Sequence, residues 1–568
     1  MGEIKEIRTR NELADYIGVP RKKLSYVLYV KKIENLYESF EIPKKNGGFR
    51  KIHAPKKDLK QIQKSLAEAL YKYEKEIAKE NGINFNISHA FEKGKSFITN
   101  AQIHRNKRFV INVDLENFFD SFHFGRVRGY FMKNRNYQCT EEVATTIAQI
   151  TCYKGKLPQG APSSPIITNI ICNIFDMRLL RLAKKYKMDY TRYADDLSFS
   201  TNNKKFVDVE KQFFTELSQE IERAGFIIND KKTRVQYKDS HQEVTGVVVN
   251  KKLNVERDYY KKTRAMAHQL YTEGEYFIDE ENKGTLNQLE GRFSFINQLV
   301  RYNNKRDSEV HKFERLKGRE KTYSQFLFYK YFFANEKMLI VTEGKTDVLY
   351  LKAALKKMSN DYPSLVSKNE KGQFEYKVSF LRRSNRLEYF LNITLDGANT
   401  LKNVMKFYTE KENANYPNYM RYFTQMSEKK PLNPVVLLFD NELVNDKKPA
   451  ADFAKNWLKE EQKEKLKDSK NVYVQDNVFM VITPLVSGYD QTDMEMLFDK
   501  EVQEIEIDGR KLDKTGKKNK EKFFNKDVFS HYIMKNYEKI NFDNFRPMLD
   551  DICNIMELYH KEIKATNK

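Results

Sequence analysis

Two adjacent aspartates, Asp195 and Asp196, stand at the centre of residues 190–200 (YTRYADDLSFS), a stretch otherwise rich in β-branched and aromatic residues. That composition predicts two strands closing on a tight turn, with the carboxylates at the turn. A further strand signal, residues 109–114 (FVINVD), ends on Asp114. A sheet that pairs these strands gathers three carboxylates on one surface, where like charges repel unless cations neutralise them. Apolar spacing predicts helices over residues 62–77 and 206–225, the second closing on Gly225. The first part of the chain is therefore mixed α and β.

The pattern changes after a polar, basic stretch at residues 302–321 and an aromatic run, YSQFLFYKYFF. Residues 338–342 (MLIVT) lead into Glu343-Gly-Lys-Thr-Asp347, and Val348, Leu351, Leu355 and Met358 follow at helical spacing. The order is strand, loop, helix. Strand signals return at residues 377–381, 435–439 and 478–482 between helical segments, the arrangement of a parallel α/β sheet. Residues 508–526 are Lys-rich with turn signals and read as a solvated loop or insertion. These breaks divide the chain at residues 1–248, 249–315, 316–335 (a linker), 336–500 and 501–568 (a basic extension). The fold class is multidomain, α+β followed by α/β.

Lys and Arg number 101 against 79 Asp and Glu, a net charge of +22 over 568 residues. Such an excess favours a polyanionic partner, because each cation set near a phosphate releases a counterion. Nucleic acid comes first and an anionic membrane second. Apolar runs such as residues 434–439 fall far short of the ~20 residues that span a bilayer. The start, MGEIKE, has no apolar segment and places Glu6 where a myristoylation signal needs Ser or Thr, so no membrane association and a cytoplasmic location are expected. The four cysteines include no Cys-x-x-Cys pair, which argues for free thiols rather than a zinc site or disulfides.

Three clustered carboxylates suit two divalent cations about 3.5 to 4 Å apart, one activating a hydroxyl and one holding a leaving pyrophosphate. All-oxygen ligands fit Mg²⁺, with Mn²⁺ as the alternative. In this setting Tyr193-Ala-Asp-Asp196 resembles the Tyr-x-Asp-Asp box of reverse transcriptases. Asp114-Leu-Glu-Asn-Phe-Phe119 resembles that family's first carboxylate motif, and residues 158–165 (PQGAPSSP) its template and nucleotide-positioning loop. The resemblance implies a right-hand polymerase of fingers, palm and thumb. By it, Asp114, Asp195 and Asp196 are catalytic metal ligands, and Phe119 is the gate against a ribose 2′-hydroxyl, with Phe118 as an alternative. Gln159 and Gly160 meet the incoming nucleotide, Arg50 contacts its phosphates, and Lys231 is the later palm lysine, with Lys232 equally placed.

Two further boxes resemble those of bacterial retron enzymes: Asn100-Ala-Gln-Ile-His104, ahead of the first carboxylate strand, and Val244-Thr245-Gly246, after the last. That family implies a cognate structured non-coding RNA as template, priming from a guanosine 2′-hydroxyl within it, dNTP substrates, and a branched RNA-linked single-stranded DNA product. Asn100, His104, Val244, Thr245 and Gly246 would meet this RNA. Residues 249–315 would be the thumb, tracking the RNA backbone with Lys261 and Arg264 among its basic residues. Residues 13–28 have the pattern of a helix-turn-helix with Gly18 in the turn, equally well explained as a basic helical cap on the fingers.

The second part carries its own acidic set. Glu343 and Asp440 end strand signals, Asp347 opens a helix, and Glu442 and Glu495 lie close by in sequence. Carboxylates at the C-terminal ends of parallel strands face one crevice. Asp347 also fits a helix start, and Thr492-x-x-Glu495 also fits a capping box. Glu343-Gly-Lys-Thr-Asp347, Leu395-Asp-Gly397-Ala-Asn399 and Asp440-x-Glu442 resemble the TOPRIM fold, closer to its nucleases than to topoisomerases. The family has Asp where this chain has Glu442, which keeps the charge and lengthens the arm. The resemblance implies a metal-dependent nuclease with Glu343 and Asp440 as catalytic residues and Asp347, Glu442 and Glu495 as further ligands.

The chain as a whole resembles retron reverse transcriptases fused to a TOPRIM domain, an arrangement of anti-phage defence in which the polymerase product restrains a nuclease. Two alternatives stay open: a TOPRIM domain that is an inactive nucleic-acid-binding or oligomerisation scaffold, and one that processes the enzyme's own DNA. The cognate RNA, the nuclease target and a homo-oligomeric state are left undetermined by the residues.

Overall fold

Four antiparallel strands form the first sheet, in the order Asp189–Tyr193, Asp196–Thr201, Phe109–Asp114, Arg234–Tyr237. The computed structural model describes residues 4–44, 47–80, 87–309, 312–409, 415–513 and 521–566. It divides into two compact units, Met1–Glu256 and Arg257–Lys568.

In the first unit the predicted hairpin forms, and its register places Asp114 directly across from Asp196. Ala194 turns the chain with φ +58, a left-handed conformation uncommon for a residue with a side chain. The strand Phe109–Asp114 is almost wholly buried because it lies inside the sheet and is covered by the helix Ser164–Lys185, whose Ile166, Ile167, Ile170 and Phe175 share its core. A separate hairpin pairs Tyr37–Pro43 with Phe49–Pro55. His53 donates its N–H to Gln159 O at 2.8 Å, tying that hairpin to the 158–165 loop. The helix-turn-helix segment is two short helices, Arg10–Tyr16 and Arg21–Ser25, whose buried Leu13, Ala14 and Leu24 join the same core as Leu59 and Val143.

The second unit holds a five-stranded sheet in the order Ser379–Phe380, Leu339–Thr342, Val435–Phe439, Val478–Ile482, Asn471–Gln475. The first four strands are parallel, and the edge strand Asn471–Gln475 runs antiparallel to its neighbour. The two-residue strand period sorts the side chains: Leu339, Val341, Val435 and Leu437 enter one core, while Ile340, Val436 and Leu438 enter another.

Both flanks of this sheet depart from the sequence reading. Residues 316–335, expected as a linker, hold the helix Arg319–Phe328 and its π-helical continuation Tyr329–Phe333. Its rings are buried on several sides: Phe326 lies 4.9 Å from Phe293, Tyr329 4.8 Å from Tyr271 and Phe328 5.4 Å from Tyr408. The expected thumb helices, Arg257–Glu273 and Leu286–Arg306, thereby share one core with the second sheet. The 501–568 extension is likewise built in, since Phe529, Ile533, Phe545, Leu549 and Ile552 cover the other sheet face. Within the expected solvated loop at 508–526, Leu512 and Phe524 are buried and their short strands pair; residues 514–520 lie outside the described residues.

Candidate active sites

Asp114 ends its strand and is gripped from the segment that follows Gly225. Asn229 donates its backbone N–H to Asp114 O at 2.8 Å and its side-chain amide to Oδ1 at 3.0 Å. Lys232 Nζ reaches both carboxylate oxygens, at 2.9 and 3.1 Å. Of the two lysines that the sequence offers equally, Lys232 is the one paired with Asp114. Burial, reinforced by repulsion from Asp195 and Asp114, raises the Asp196 carboxyl to about 7. Burial also raises Asp195. Carboxylates that burial and mutual repulsion destabilise in this way have a donor set suited to a hard divalent cation.

A cleft of about 690 Å³ opens over these groups, with Arg50, Lys51, Gln159, Asp114, Asp195 and Lys232 in its wall. Gly160, at φ +114, packs so closely on the hairpin that a Cβ there would lie 2.8 Å from Ile52 Cγ2 and 2.9 Å from His53 O. Phe119, the expected gate, is half-buried, and of the two neighbours it is Phe118 that lines the cleft, with Phe49 and Tyr153. Phe118 is fixed by Phe122 at 5.1 Å and Phe226 at 5.6 Å.

The two boxes expected to meet RNA come together inside the unit instead. Asn100, His104 and Val244 are fully buried, so their side chains are closed to a ligand and brace the fold. His104 shares hydrogen bonds with Ser200 Oγ at 2.8 Å and Thr191 Oγ1 at 2.7 Å, on the two strands of the Asp195–Asp196 hairpin. Thr245 and Gly246, at φ +48 and +78, form a turn from which Thr245 Oγ1 donates to Phe97 O at 3.4 Å. Lys261 and Arg264, in the second unit, are exposed.

Residues 42–249 match the family model for reverse transcriptase (RNA-dependent DNA polymerase). Over these residues the chain has the palm and fingers fold of a reverse transcriptase. The chain is 34% identical to the retron Mx65 reverse transcriptase of Myxococcus xanthus over 283 residues, covering 46% of this chain and 63% of that protein. It is 34% identical to the retron Ec86 reverse transcriptase of Escherichia coli over 223 residues, covering 39% and 65% respectively. The match thus spans just under two thirds of these relatives' length. The solved structure of telomerase from Candida albicans in complex with a TWJ fragment of telomeric RNA overlaps with a TM-score of 0.30 and 13% identity, covering 52% of this chain and 60% of that chain. In the reverse transcriptase domain the four-stranded sheet is the palm and the Tyr37–Pro55 hairpin the fingers.

The second unit gathers the other acidic set at the C-terminal ends of its parallel strands. Asp440 accepts the Met494 N–H at 3.2 Å and donates its own backbone N–H to Glu343 Oε1 at 3.1 Å. Asp347 is buried at the first position of its helix and accepts the Gly344 N–H at 2.7 Å. A Cβ on Gly344 would crowd both Asp347 oxygens at 3.3 Å. Burial raises the carboxyls of Glu343, Asp347 and Asp440, and neighbouring carboxylates push them further. Glu495 is buried, bonded to Tyr350 OH at 3.2 Å and Lys526 Nζ at 2.7 Å. It does not cap a helix, because Asp493 takes that role by accepting the Met496 N–H at 3.0 Å. Glu442 accepts from Lys448 at 2.6 Å.

Arg383, Asp493 and Lys526 escaped the sequence reading. Arg383 donates to Glu343 O at 2.8 Å and Gly397 O at 3.2 Å, joining the glycine turn to the acidic loop. Asp493-Met-Glu495 repeats the spacing of Asp440-Asn-Glu442, and the two segments bridge through Asn441 and Thr492, so this repetition was the available signal. Lys526 comes from a tail without a motif.

Among the described residues, one trio of metal-ligating side chains has its atoms all within 4.8 Å of one another, and it belongs to neither site: His241, Glu243 and Glu256. In the two candidate sites Asp114, Glu442 and Glu495 are each paired with an ammonium group, of Lys232, Lys448 and Lys526 respectively. No described helix is long and apolar enough to cross a membrane.

Proposed function

We propose that this chain is a retron reverse transcriptase that copies a structured non-coding RNA from an internal 2′-hydroxyl and leaves branched RNA-linked single-stranded DNA. The observation that carries the polymerase reading is the register of the palm, which sets Asp114 across from Asp196 with Asp195 in the turn beside them. The retron relatives support the choice of RNA. Asp114, Asp195 and Asp196 would hold two Mg²⁺ or Mn²⁺ ions, which lower the pKa of a primer hydroxyl and neutralise charge on the leaving pyrophosphate. The chain's own residues supply the rest. Asn229 and Lys232 orient Asp114, Arg50 and Lys51 present cations to the triphosphate, and Gln159, fixed by the fingers strand, positions the nucleotide.

The second unit is read as a TOPRIM-type metal-dependent nuclease acting in anti-phage defence and restrained by the polymerase product. Its support is the set of buried carboxylates at parallel strand ends: Glu343, Asp347, Asp440 and Glu495. In this site Lys526 and Arg383 hold acidic residues in place, and bound metal would activate water for attack on a phosphodiester.

The test purifies the chain co-expressed with its neighbouring genomic DNA and digests the bound nucleic acid separately with RNase and DNase. RNA-linked DNA that disappears with Asp195→Ala supports the retron reading; extension of an ordinary primer with no such product refutes it. Toxicity on release that is lost with Glu343→Ala supports the nuclease. Toxicity that survives this change assigns the unit a scaffold role, and an altered DNA length assigns it product processing.

A further inference from the structure

We propose that a second cavity in the reverse transcriptase domain binds a guanine nucleotide presented by single-stranded RNA. This cavity, of about 620 Å³, shares no lining residue with the polymerase cleft. It lies among the helix Lys57–Glu80, residues 87–93 and the helix Ser164–Lys185. RNA as the source of the ligand rests on the polymerase reading; the pocket chemistry does not.

Three features of the cavity match the three parts of such a nucleotide. Tyr71, Phe91, Ile87 and Ile170 form an apolar and aromatic part of its wall, beside acidic groups that include Glu68 and Glu74. Phe91 is held at φ +62, a strained conformation for a bulky residue, and the residue is 46% exposed. Tyr71 OH donates to Phe91 O at 2.7 Å and fixes that pose. A half-exposed aromatic at a pocket is a stacking platform for an unpaired base.

The polar side of the cavity selects the base. Asn169 Nδ2 donates to Glu92 Oε1 at 3.2 Å and to Ala90 O at 3.1 Å, which fixes the carboxylate against the pocket. A carboxylate only accepts, so it favours an edge with two adjacent donors. Guanine offers N1–H and the 2-amino group side by side, whereas cytosine, adenine and uracil each set an acceptor next to their donor. Burial raises the Glu92 carboxyl against the opposing pull of Lys95, Asn169 and Arg192. Lys72, Lys75 and Lys93 are exposed at the rim, where they suit the phosphates on either side of the base.

The test uses the full chain in EDTA, which removes divalent metal from the catalytic cleft, and single-stranded RNA 12-mers carrying one 6-thioguanosine. After irradiation, mass spectrometry maps the crosslinks. Crosslinks on peptides holding Tyr71 or Phe91 are expected, with yield reduced about tenfold in Glu92→Gln by loss of a paired acceptor. Lys72→Ala/Lys75→Ala should weaken the strand without changing the base preference. Three results would overturn the proposal: crosslinks confined to cleft peptides, unchanged yield in Glu92→Gln, or equal yield from 4-thiouridine at the same place. Crosslinking by free 6-thioguanosine monophosphate alone would overturn the strand as its source. Primer extension by the same proteins with Mg²⁺ restored keeps the polymerase reading separate, because its failure shows in wild-type extension, and an unchanged melting temperature reports that Glu92→Gln is folded.

Discussion

Arg192 and Asp176 form a buried two-point pair, Nε to Oδ1 at 2.8 Å and a terminal nitrogen to Oδ2 at 2.7 Å. The remaining guanidinium nitrogen donates to Ala194 O at 3.3 Å, so the pair holds the left-handed residue that turns the chain into Asp195. Tyr190 OH also donates to Asp176, at 2.9 Å. A fork of this geometry positions a backbone more firmly than a point charge does.

Arg192→Lys keeps the charge and loses the fork, so extension should slow at least tenfold while template affinity holds, as a misplaced catalytic turn implies. Single-turnover extension and filter binding read the two quantities. Asp176→Leu should cost about 3–5 kcal/mol by stranding a buried cation. Arg192→Lys with wild-type extension would show that the pair serves stability alone.

Gly160→Ala inserts a methyl where Ile52 Cγ2 and His53 O stand 2.8 and 2.9 Å from the Cβ position, in a backbone region that favours glycine. The fingers strand must retreat, and Arg50 and Gln159 separate with it. The expected result is a KM for dNTP raised about tenfold or more, with a smaller change in kcat, since this contact orients the nucleotide. Steady-state extension checks it, and an unchanged KM refutes it.

Lys231 and Lys232 are separable by the same assay. Lys232 alone of the two pairs with Asp114, at 2.9 Å. Lys232→Met should lower extension sharply and Lys231→Met should leave it near wild type. The opposite ranking would make Lys231 the palm lysine.

His104 is buried with its two nitrogens bonded to hydroxyls, and burial, aided by Lys107 and His89, pushes its pKa down to about 3. An unfolded histidine titrates near 6.5. Below that pH the unfolded chain binds a proton that the fold excludes, so stability is full above pH 6.5 and falls on acidification toward the folded pKa. The slope is about 1.4 kcal/mol per pH unit. His104→Asn should be less stable than wild type at pH 7.5, and the gap should narrow toward pH 5. Urea titrations at stepped pH measure it, and a gap independent of pH refutes it.

The polymerase motifs were readable from sequence because they are local: a strand ending in Asp114, a turn holding Asp195 and Asp196, and the Gln159-Gly160 loop each fold on their own residues. Burial was not readable in this way. Asn100 and His104 look like polar recognition residues in sequence, and only the packing of helix Phe97–Ile103 against the palm shows them closed off. The aromatic run at 323–333 looked like a break between domains because its partners, Tyr271, Phe293 and Tyr408, are distant in sequence. The tail after residue 500 lacked a motif and yet supplies both Lys526 and the cover of one sheet face.

Lys526 makes that tail testable. Glu495 is 1% exposed, and its partners are Lys526 and Tyr350 OH. Burial opposes the ammonium form of Lys526, while Glu495 and Asp493 favour it, and the attraction prevails. Lys526→Met should therefore destabilise the second unit by about 1–3 kcal/mol, less than for a fully buried pair because solvent reaches the lysine, since it leaves a buried carboxylate uncompensated. Adding Glu495→Gln removes the stranded charge and should recover much of that loss, a coupling that a double-mutant cycle measures. Mg²⁺ should raise the melting temperature of Lys526→Met more than that of wild type, because the cation takes over the charge the lysine carried. Additive losses with no gain from Mg²⁺ would mean that Lys526 merely packs against the sheet.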